Sequence, residues 1–422
     1  MLSALLVLFC VAVTHAGRSP NADYVEELIR NNKFGRISDS VVEDALLDVP
    51  DLAAKYRYPL EEHTVVTPDG YILQMHRIPY GRDNNNEPGD KPVVFVMHGL
   101  WGSSADFILM GPGSGLAYLL AEEGYDVWMG NARGNYYSRR HEWLRPDALL
   151  NTAFWNFSWD EIGHIDLPSM IDYTLEYTGK QQLHYIGFSQ GTTSFYVMGS
   201  LRPEYNDKII SMHALAPIAY MAHVPNLLLR ALAPFATQIA DVANLLGIGE
   251  FLSHSPFYTW AGQSLCSDEA VFQPVCSNIL FLISGYSPDQ LNTTMLPVIF
   301  GHFPAGSSIR QFTHYLQGIS QKGFRRYNFG LLRNQNIYGS ISPPDYNLGK
   351  ITAPVFLYYS ENDALSGVLD VERLYNELPF AEKFLNADSN YGHIDYLYGI
   401  NATSLVYDYV INKITSLENQ NK

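Results

Sequence analysis

Ser189 stands in "HYIGFSQGTTSF" (184–195), fenced by Gly187 and Gly191. A serine hydroxyl attacks a carbonyl only when a base takes its proton and a carboxylate holds that base in one tautomer. The chemistry such a serine would serve is acyl transfer. It needs a sharp strand-to-helix turn with small residues on both sides, because a Cβ at either glycine would meet neighbouring backbone. The acid and the base are expected in the order Ser, acid, His, each after a later strand. "ENDALSG" offers Asp363, with Glu361 nearer the strand end as the alternative, and "FLNADSNYGHIDYL" offers His393. Asp395, a sequence neighbour of His393, reads as structural. Two backbone N–H groups must also face the oxyanion. One is that of Gln190; the other is that of Leu100 in "VMHGLWGSS" (96–104), where Gly99 lets backbone approach substrate.

These residues need a scaffold of strands and helices, and the chain spells one. "PVVFVMHG" (92–99), "YDVWMGN" (125–131), "LHYIG" (183–187), "IISMHALAP" (209–217) and "APVFLYYS" (353–360) are short apolar runs that mostly do not alternate. That is the pattern of parallel strands buried on both faces. Helical patterns such as "SGLAYLLAEEG" (114–124) and "DLPSMIDYTLEYTG" (166–179) lie between them, which predicts an α/β fold with a mostly parallel, doubly wound sheet. "EEHTVVTPDGYILQMHRI" reads as a β-hairpin turning at "DG". "GRDNNNEPGDK" (81–91) is a polar loop between strands. The rhythm breaks at residue 216, so 17–215 and 346–422 form the core and 216–345 a mainly helical insertion, a cap.

Composition bounds the function. The 422 residues are 47% apolar and 17% charged, enough for a large core, with 29 Tyr, 21 Phe and 6 Trp favouring apolar pockets. A formal charge of −16 argues against nucleic acid as a partner. "MLSALLVLFCVAVTHAG" suits a secretory signal peptide cleaved after Ala16, too short and poorly flanked for a membrane span. No later segment reads as a span. Its removal leaves Cys266 and Cys276, which in an oxidising compartment would most simply pair as a disulfide. Three sequons, at Asn156, Asn292 and Asn401, are glycosylation candidates that support export, although Asn156 lies among aromatics and reads as buried. No His and Cys spacing suggests a metal, and hydrolysis needs only water, so no cofactor is expected. "GPGSG" (111–115) reads as a turn before a helix, and Arg133, Arg139 and Arg140 as partners of structural ion pairs rather than contacts to a carboxylate product. In the insertion, residues 224–252 place Leu229, Leu232, Phe235, Ile239, Val242 and Leu246 near helical spacing, which fits either a lid that meets lipid or a core helix.

The chain resembles the acid lipase family of α/β-hydrolases, which includes gastric, lysosomal acid and insect lipases. The resemblance rests on "VVTPDGYILQMHRIPYG", "VVFVMHGLWGSS", "GYDVWMGNARGNYYSRRH", "FWNFSWDEIGHIDLPSMIDY", "QQLHYIGFSQGTT", "PPDYNL", "ENDALS" and "YGHIDYLYG", in order from about residue 50 to 410. It implies an α/β-hydrolase fold with Ser189 as nucleophile, Asp363 as acid, His393 as base, and Leu100 and Gln190 as oxyanion donors. It also implies a cap acting as a lid, and a lipase acting on triacylglycerols or sterol esters at a lipid–water interface, in a lysosome or outside the cell. One local departure is Phe188, where the family usually has His. An esterase for smaller soluble esters and a non-catalytic lipid-binding or storage protein are the competing readings; an intact triad opposes the second and a long apolar cap the first.

Overall fold

The apolar runs do become the middle of a sheet. The computed structural model describes residues 38–148, 151–255, 258–261, 266 and 273–420, and the expected signal peptide lies outside them. The strands are β1 (Glu61–Val66), β2 (Tyr71–Ile78), β3 (Val93–Met97), β4 (Asp126–Gly130), β5 (Arg140–His141) and β6 (Leu183–Phe188). They continue as β7 (Ile209–Leu215), β8 (Glu250–Phe251), β9 (Ser307–Ser308), β10 (Val355–Tyr359) and β11 (Ala381–Leu385). The nine-stranded sheet has the order β1-β2-β4-β3-β6-β7-β10-β11, with β5 beside β2, while β8 and β9 pair separately. From β4 to β11 every pairing is parallel; the hairpin β1–β2 adds an antiparallel edge.

Successive residues of the central strands feed opposite faces. Phe95, Tyr185 and Leu357 join one apolar core, and Val94, Val96, Ile186 and Phe356 join the other. Both faces are therefore dry, which is why these strands carry no polar alternation. The helices used below are α1 (Leu116–Glu122), α2 (Leu167–Thr178), α3 (Gln190–Leu201), α4 (Leu227–Leu232), α5 (Ala236–Leu245) and α6 (Gln273–Ser284). They continue as α7 (Ile309–Gln321), α8 (Val368–Glu377), α9 (Asp395–Tyr398) and α10 (Asp408–Gln420). α2, α3 and α8 cover the first core, and α1 and α10 the second. Met97 pairs in register with Gly187, Gly187 with Ala214, and Ala214 with Leu357, so β3, β6, β7 and β10 end along one edge. In open α/β sheets that edge is where ligands bind.

The segment between β7 and β10 holds α4 to α7. α7 is largely buried, with Phe312, Tyr315, Leu316 and Ile319 in the first core. α4 and α5 lie on it through Ala233, Ala236 and Ala243. The single helical stretch expected there is broken by a 3₁₀ turn at Ala233–Phe235, where Pro234 has no N–H to continue the helical bonds. Leu229, Leu232 and Ile239 pack partly against the core, whereas Phe235, Val242 and Leu246 face out. With Leu245 at 83% and Leu227 at 75% exposure, the pair buries alanines and presents large apolar side chains to solvent.

Two buried polar anchors brace the loops at the edge of the sheet. Arg133, after β4, is 1% exposed; its guanidinium donates to Asp166 Oδ1 from Nε (2.8 Å) and Nη2 (2.6 Å), and from Nη1 to Asp69 Oδ2 (2.6 Å). It also sits 4.0 Å from the centre of the Tyr71 ring, so it ties the hairpin turn to the start of α2. Arg139 pairs with Glu250, so Arg133 and Arg139 fit the structural reading, whereas Arg140 is exposed and makes no ion pair among the described residues. "GPGSG" is a turn, with Gly111 and Gly113 in the left-handed region. The second anchor is Asp106, in the loop after β3, which accepts from Tyr398 Oη at 2.9 Å and from Ser103 N at 3.3 Å. Burial pushes its carboxyl up to about 7.

Arg133→Ala should destabilise the chain by about 3–5 kcal/mol in denaturant unfolding, because it strands Asp166 as a buried unpaired charge. The folded-state pKa of Asp106 lies above its ordinary value of 3.8, so the native state holds that proton more tightly. Its contribution is complete below about pH 4 and is lost as pH rises toward about 7. Over that window the unfolding free energy of Asp106→Asn should fall less steeply than that of the wild type; parallel pH profiles would remove Asp106 as the source.

Candidate active site

β6 ends at Phe188 and α3 begins at Gln190, leaving Ser189 alone at the turn with φ 50° and ψ −115°. A non-glycine residue in that region is strained, and such strain gathers at functional sites. The flanking glycines are required by space. A Cβ on Gly191 would fall 2.2 Å from Met97 O, and one on Gly187 2.8 Å from the carbonyl carbon of Gly191. The turn is pinned by Ser189 N donating to Leu215 O (3.0 Å), Thr192 Oγ1 to Ser189 O (2.6 Å) and Tyr185 Oη to Gly191 O (2.8 Å).

Three sequence-predicted residues meet at this turn. His393 Nε2 lies 2.8 Å from Ser189 Oγ, and His393 Nδ1 lies 2.9 and 2.8 Å from the two carboxylate oxygens of Asp363. Asp363 Oδ1 also accepts from Leu365 N (2.8 Å) and Ser366 N (2.7 Å), which fixes the carboxylate from behind. A hydroxyl, an imidazole and an ion-bonded carboxylate in one line can pass the hydroxyl proton to the ring. Glu361 is exposed and takes no part. Asp395 is buried, accepts from Gly392 N at 2.6 Å and so shapes the loop under His393; burial pushes its carboxyl to about 6. Phe188 packs on the imidazole, with ring centres 5.1 Å apart.

The loop after β3 closes the other side. A Cβ on Gly99 would lie 3.1 Å from Ser189 Cβ, so backbone at 99–100 passes directly beside Ser189. Leu100 packs partly against the first core, and Gln190 is buried at the N-terminus of α3. His98 holds this loop: its Nδ1 lies 2.7 Å from Gly99 O and its Nε2 3.1 Å from Ala132 N. Since Ala132 N can only donate, Nδ1 carries the proton, and burial pushes the ring down to about 4, keeping it neutral. Asn131 Oδ1 accepts from Ser104 N (2.9 Å) and from Asn135 Nδ2 (2.9 Å), extending the same brace.

Sequence reasoning did not single out His98, Asn131 or Asn135 as holders of the loop; polar residues at the ends of dry strands were the available signal. It also missed Ser284, the last residue of α6. Its carbonyl accepts from His393 N at 2.8 Å and from Ala364 N at 3.2 Å, joining the loops that carry His393 and Asp363. A backbone carbonyl leaves no mark in a sequence. Cys266 and Cys276 form a disulfide with Cα atoms 5.6 Å apart, which ties Cys266 to α6 through Cys276 in its first turn. Asn156 is exposed rather than buried, its side chain turned out to accept from Arg310 Nη2 at 2.8 Å; Asn401 is exposed and Asn292 half-buried. Ser189, Asp363 and His393 themselves are 6%, 1% and 3% exposed, so the reacting groups are covered.

Comparison with known proteins agrees with this architecture. A family model for a partial alpha/beta-hydrolase lipase region matches residues 49–111, and one for the alpha/beta hydrolase fold matches 92–400. The chain is 46% identical to Lipase 3 of Drosophila melanogaster, over 86% of this chain and 91% of that protein. It is 37% identical to the gastric triacylglycerol lipase of Bos taurus, over 90% and 93%. Against solved structures, a putative lipase from Sulfolobus solfataricus gives a TM-score of 0.53 at 14% identity, covering 84% of this chain and 99% of that one. A putative lipase from Acinetobacter baumannii gives 0.52 at 13%, covering 92% and 99%; both likenesses speak to fold alone. The chain belongs to the α/β-hydrolase fold family and, within it, to the lipases, which are carboxylic ester hydrolases.

Proposed function

We propose that this lipase hydrolyses the esters of long-chain fatty acids, triacylglycerols or sterol esters, through an acyl-enzyme on Ser189. The observation that carries the reading is the line from Asp363 through His393 to Ser189, with 2.8 Å at both links. His393 Nε2 takes the Ser189 proton as Oγ attacks the ester carbonyl. The amides of Leu100 and Gln190 hold the oxyanion, and α3, beginning at Gln190, adds the positive end of its dipole. The alcohol leaves with the proton from His393. Water then attacks the acyl-enzyme by the same route and releases the fatty acid. Asp363 keeps Nδ1 protonated and stabilises the cation that forms. No step calls for a metal or a cofactor.

Residues 216–345 serve as the cap. The triad is covered, and α4 and α5 turn leucines outward while only alanines are buried beneath them, a division suited to a lid that meets a lipid surface. This favours the lid over the core-helix reading. Among the described residues no helix is long and apolar enough to cross a membrane. The leader, the disulfide and the exposed Asn156 and Asn401 support passage through the secretory pathway, with sugar on those sequons.

An ester series from acetate to long-chain triacylglycerol and cholesteryl ester, run on wild type and Ser189→Ala, tests the assignment. The alanine variant should lose at least about 1,000-fold in kcat while keeping its fold; retention of activity would overturn the mechanism. Leu245→Asp should lower hydrolysis of emulsified triacylglycerol about tenfold, the worth of one leucine side chain taken from lipid, and leave a soluble butyrate ester within about twofold. An equal loss on both substrates would sink the lid.

A further inference from the structure

We infer that Gln311 and Phe312, adjacent residues of α7, are positioning residues that set the spacing of the oxyanion hole by holding its two halves from one helix. The inference rests on the roles proposed above for Leu100 and Gln190. The halves come from distant parts of the chain: Leu100 follows β3, and Gln190 opens α3. Each is gripped through a side chain at or beside the donor. Gln190 Nε2 donates to Gln311 Oε1 at 2.6 Å, and both residues are 2% exposed. Gln190 Oε1 is buried with no hydrogen-bond partner among the described residues, so the Gln311 bond is what orients that amide. On the other side, the Trp101 ring, next to Leu100, lies with its centre 6.0 Å from that of Phe312 and 5.7 Å from that of Phe251. Trp101 has φ 62°, an unfavourable region for a bulky residue, and its carbonyl accepts from Ala305 N at 2.6 Å. A strained backbone persists only where its surroundings over-determine it, and here those surroundings are Ala305, Phe251 and Phe312.

α7 is itself tied to the nucleophile's helix and to the core. Tyr315 Oη donates to Thr193 Oγ1 on α3 at 3.0 Å, His314 Nδ1 lies 3.0 Å from Ser158 Oγ, and Ser308 Oγ, at its N-cap, donates to Phe157 O at 2.5 Å. Gln311 and Tyr315 are one turn apart, as are Gln190 and Thr193, so the two helices meet along matched faces. α7 thus behaves as part of the catalytic core although it lies in the inserted segment. α4 and α5 rest on it through Ala233, Ala236 and Ala243, with Leu229, Leu232 and Ile239 packed partly beside them. On the lid reading proposed above, the helix that spaces the donors is α7 and not the lid pair α4 and α5.

The test replaces the acceptor at near-constant volume. Gln311→Leu, assayed on a soluble butyrate ester that needs no lipid surface, should lose about tenfold in kcat with KM within about twofold. Removal of a whole oxyanion donor costs about 100-fold to 1,000-fold, and displacement of one should cost less. Stoichiometric labelling of Ser189 by a phosphonate should be complete but slower by a similar factor, which separates a misplaced hole from a misfolded chain. Gln190→Met should give the same loss, and the double variant should lose no more than either single one. If Gln311→Leu does not fold, Gln190→Met reads the same bond from the other side. A kcat within twofold of wild type in a fully labelled variant, or fully additive losses in the double variant, would overturn the inference. Ser189→Ala in parallel distinguishes the failures: its activity lost with Gln311→Leu intact removes only the positioning role, whereas its activity retained removes the mechanism.

Discussion

The contact that places Ser189 is that of Gly191 with β3, where even a methyl group would be driven to 2.2 Å from Met97 O. This contact sets how near the first turn of α3 comes to the end of the neighbouring strand. That distance in turn sets where Ser189 stands and how near it is to the backbone at Gly99. Parallel pairing of β3 with β6 in the register Met97 to Gly187 is its precondition. The dry faces of both strands hold that register, since a slip by one residue would send every side chain of β6 to the wrong core.

Around this contact the protein uses neutral, buried hydrogen bonds rather than charges to fix its loops. His98, kept uncharged by burial, bridges Gly99 and Ala132, and Asn131 and Asn135 continue the brace. Where a charge is buried it is matched: Arg133 meets Asp166 and Asp69. A loop held this way has little freedom to reorganise as an oxyanion forms, which is what electrostatic stabilisation of a transition state demands. The segment between β7 and β10 then divides by packing. α6 and α7 reach down to His393, Ala364 and Gln190, while α4 and α5 bury alanines, pack Leu229, Leu232 and Ile239 partly on the core and turn other leucines outward.

Much of this could be read in advance. The central strands, the hairpin at "DG", the turn at Ser189 and the order Ser189, Asp363, His393 follow from local rules of apolar patterning, turn chemistry and spacing, which depend only on neighbours in the chain. Asp363 was preferred to Glu361, which lies closer to the strand end, and it is the Asp363 carboxylate that meets the His393 ring. The break at Pro234 was written in the sequence yet overridden in the reading by the apolar spacing of residues 224–252. The exposure of Asn156 was misjudged because neighbouring aromatics say nothing about which way an asparagine between them points.

What the sequence by itself determined is the set of residues: a serine in a turn only glycine neighbours permit, followed in order by Asp363 and His393. What only the tertiary structure decided is what holds those residues in place. The Ser284 carbonyl under His393, the bond from Gln190 to Gln311, and the choice of alanine over leucine as the buried side of α5 all join residues far apart in the chain. Each depends on backbone groups or on the direction a side chain takes. Those are settled when the chain packs, and residue type alone does not encode them.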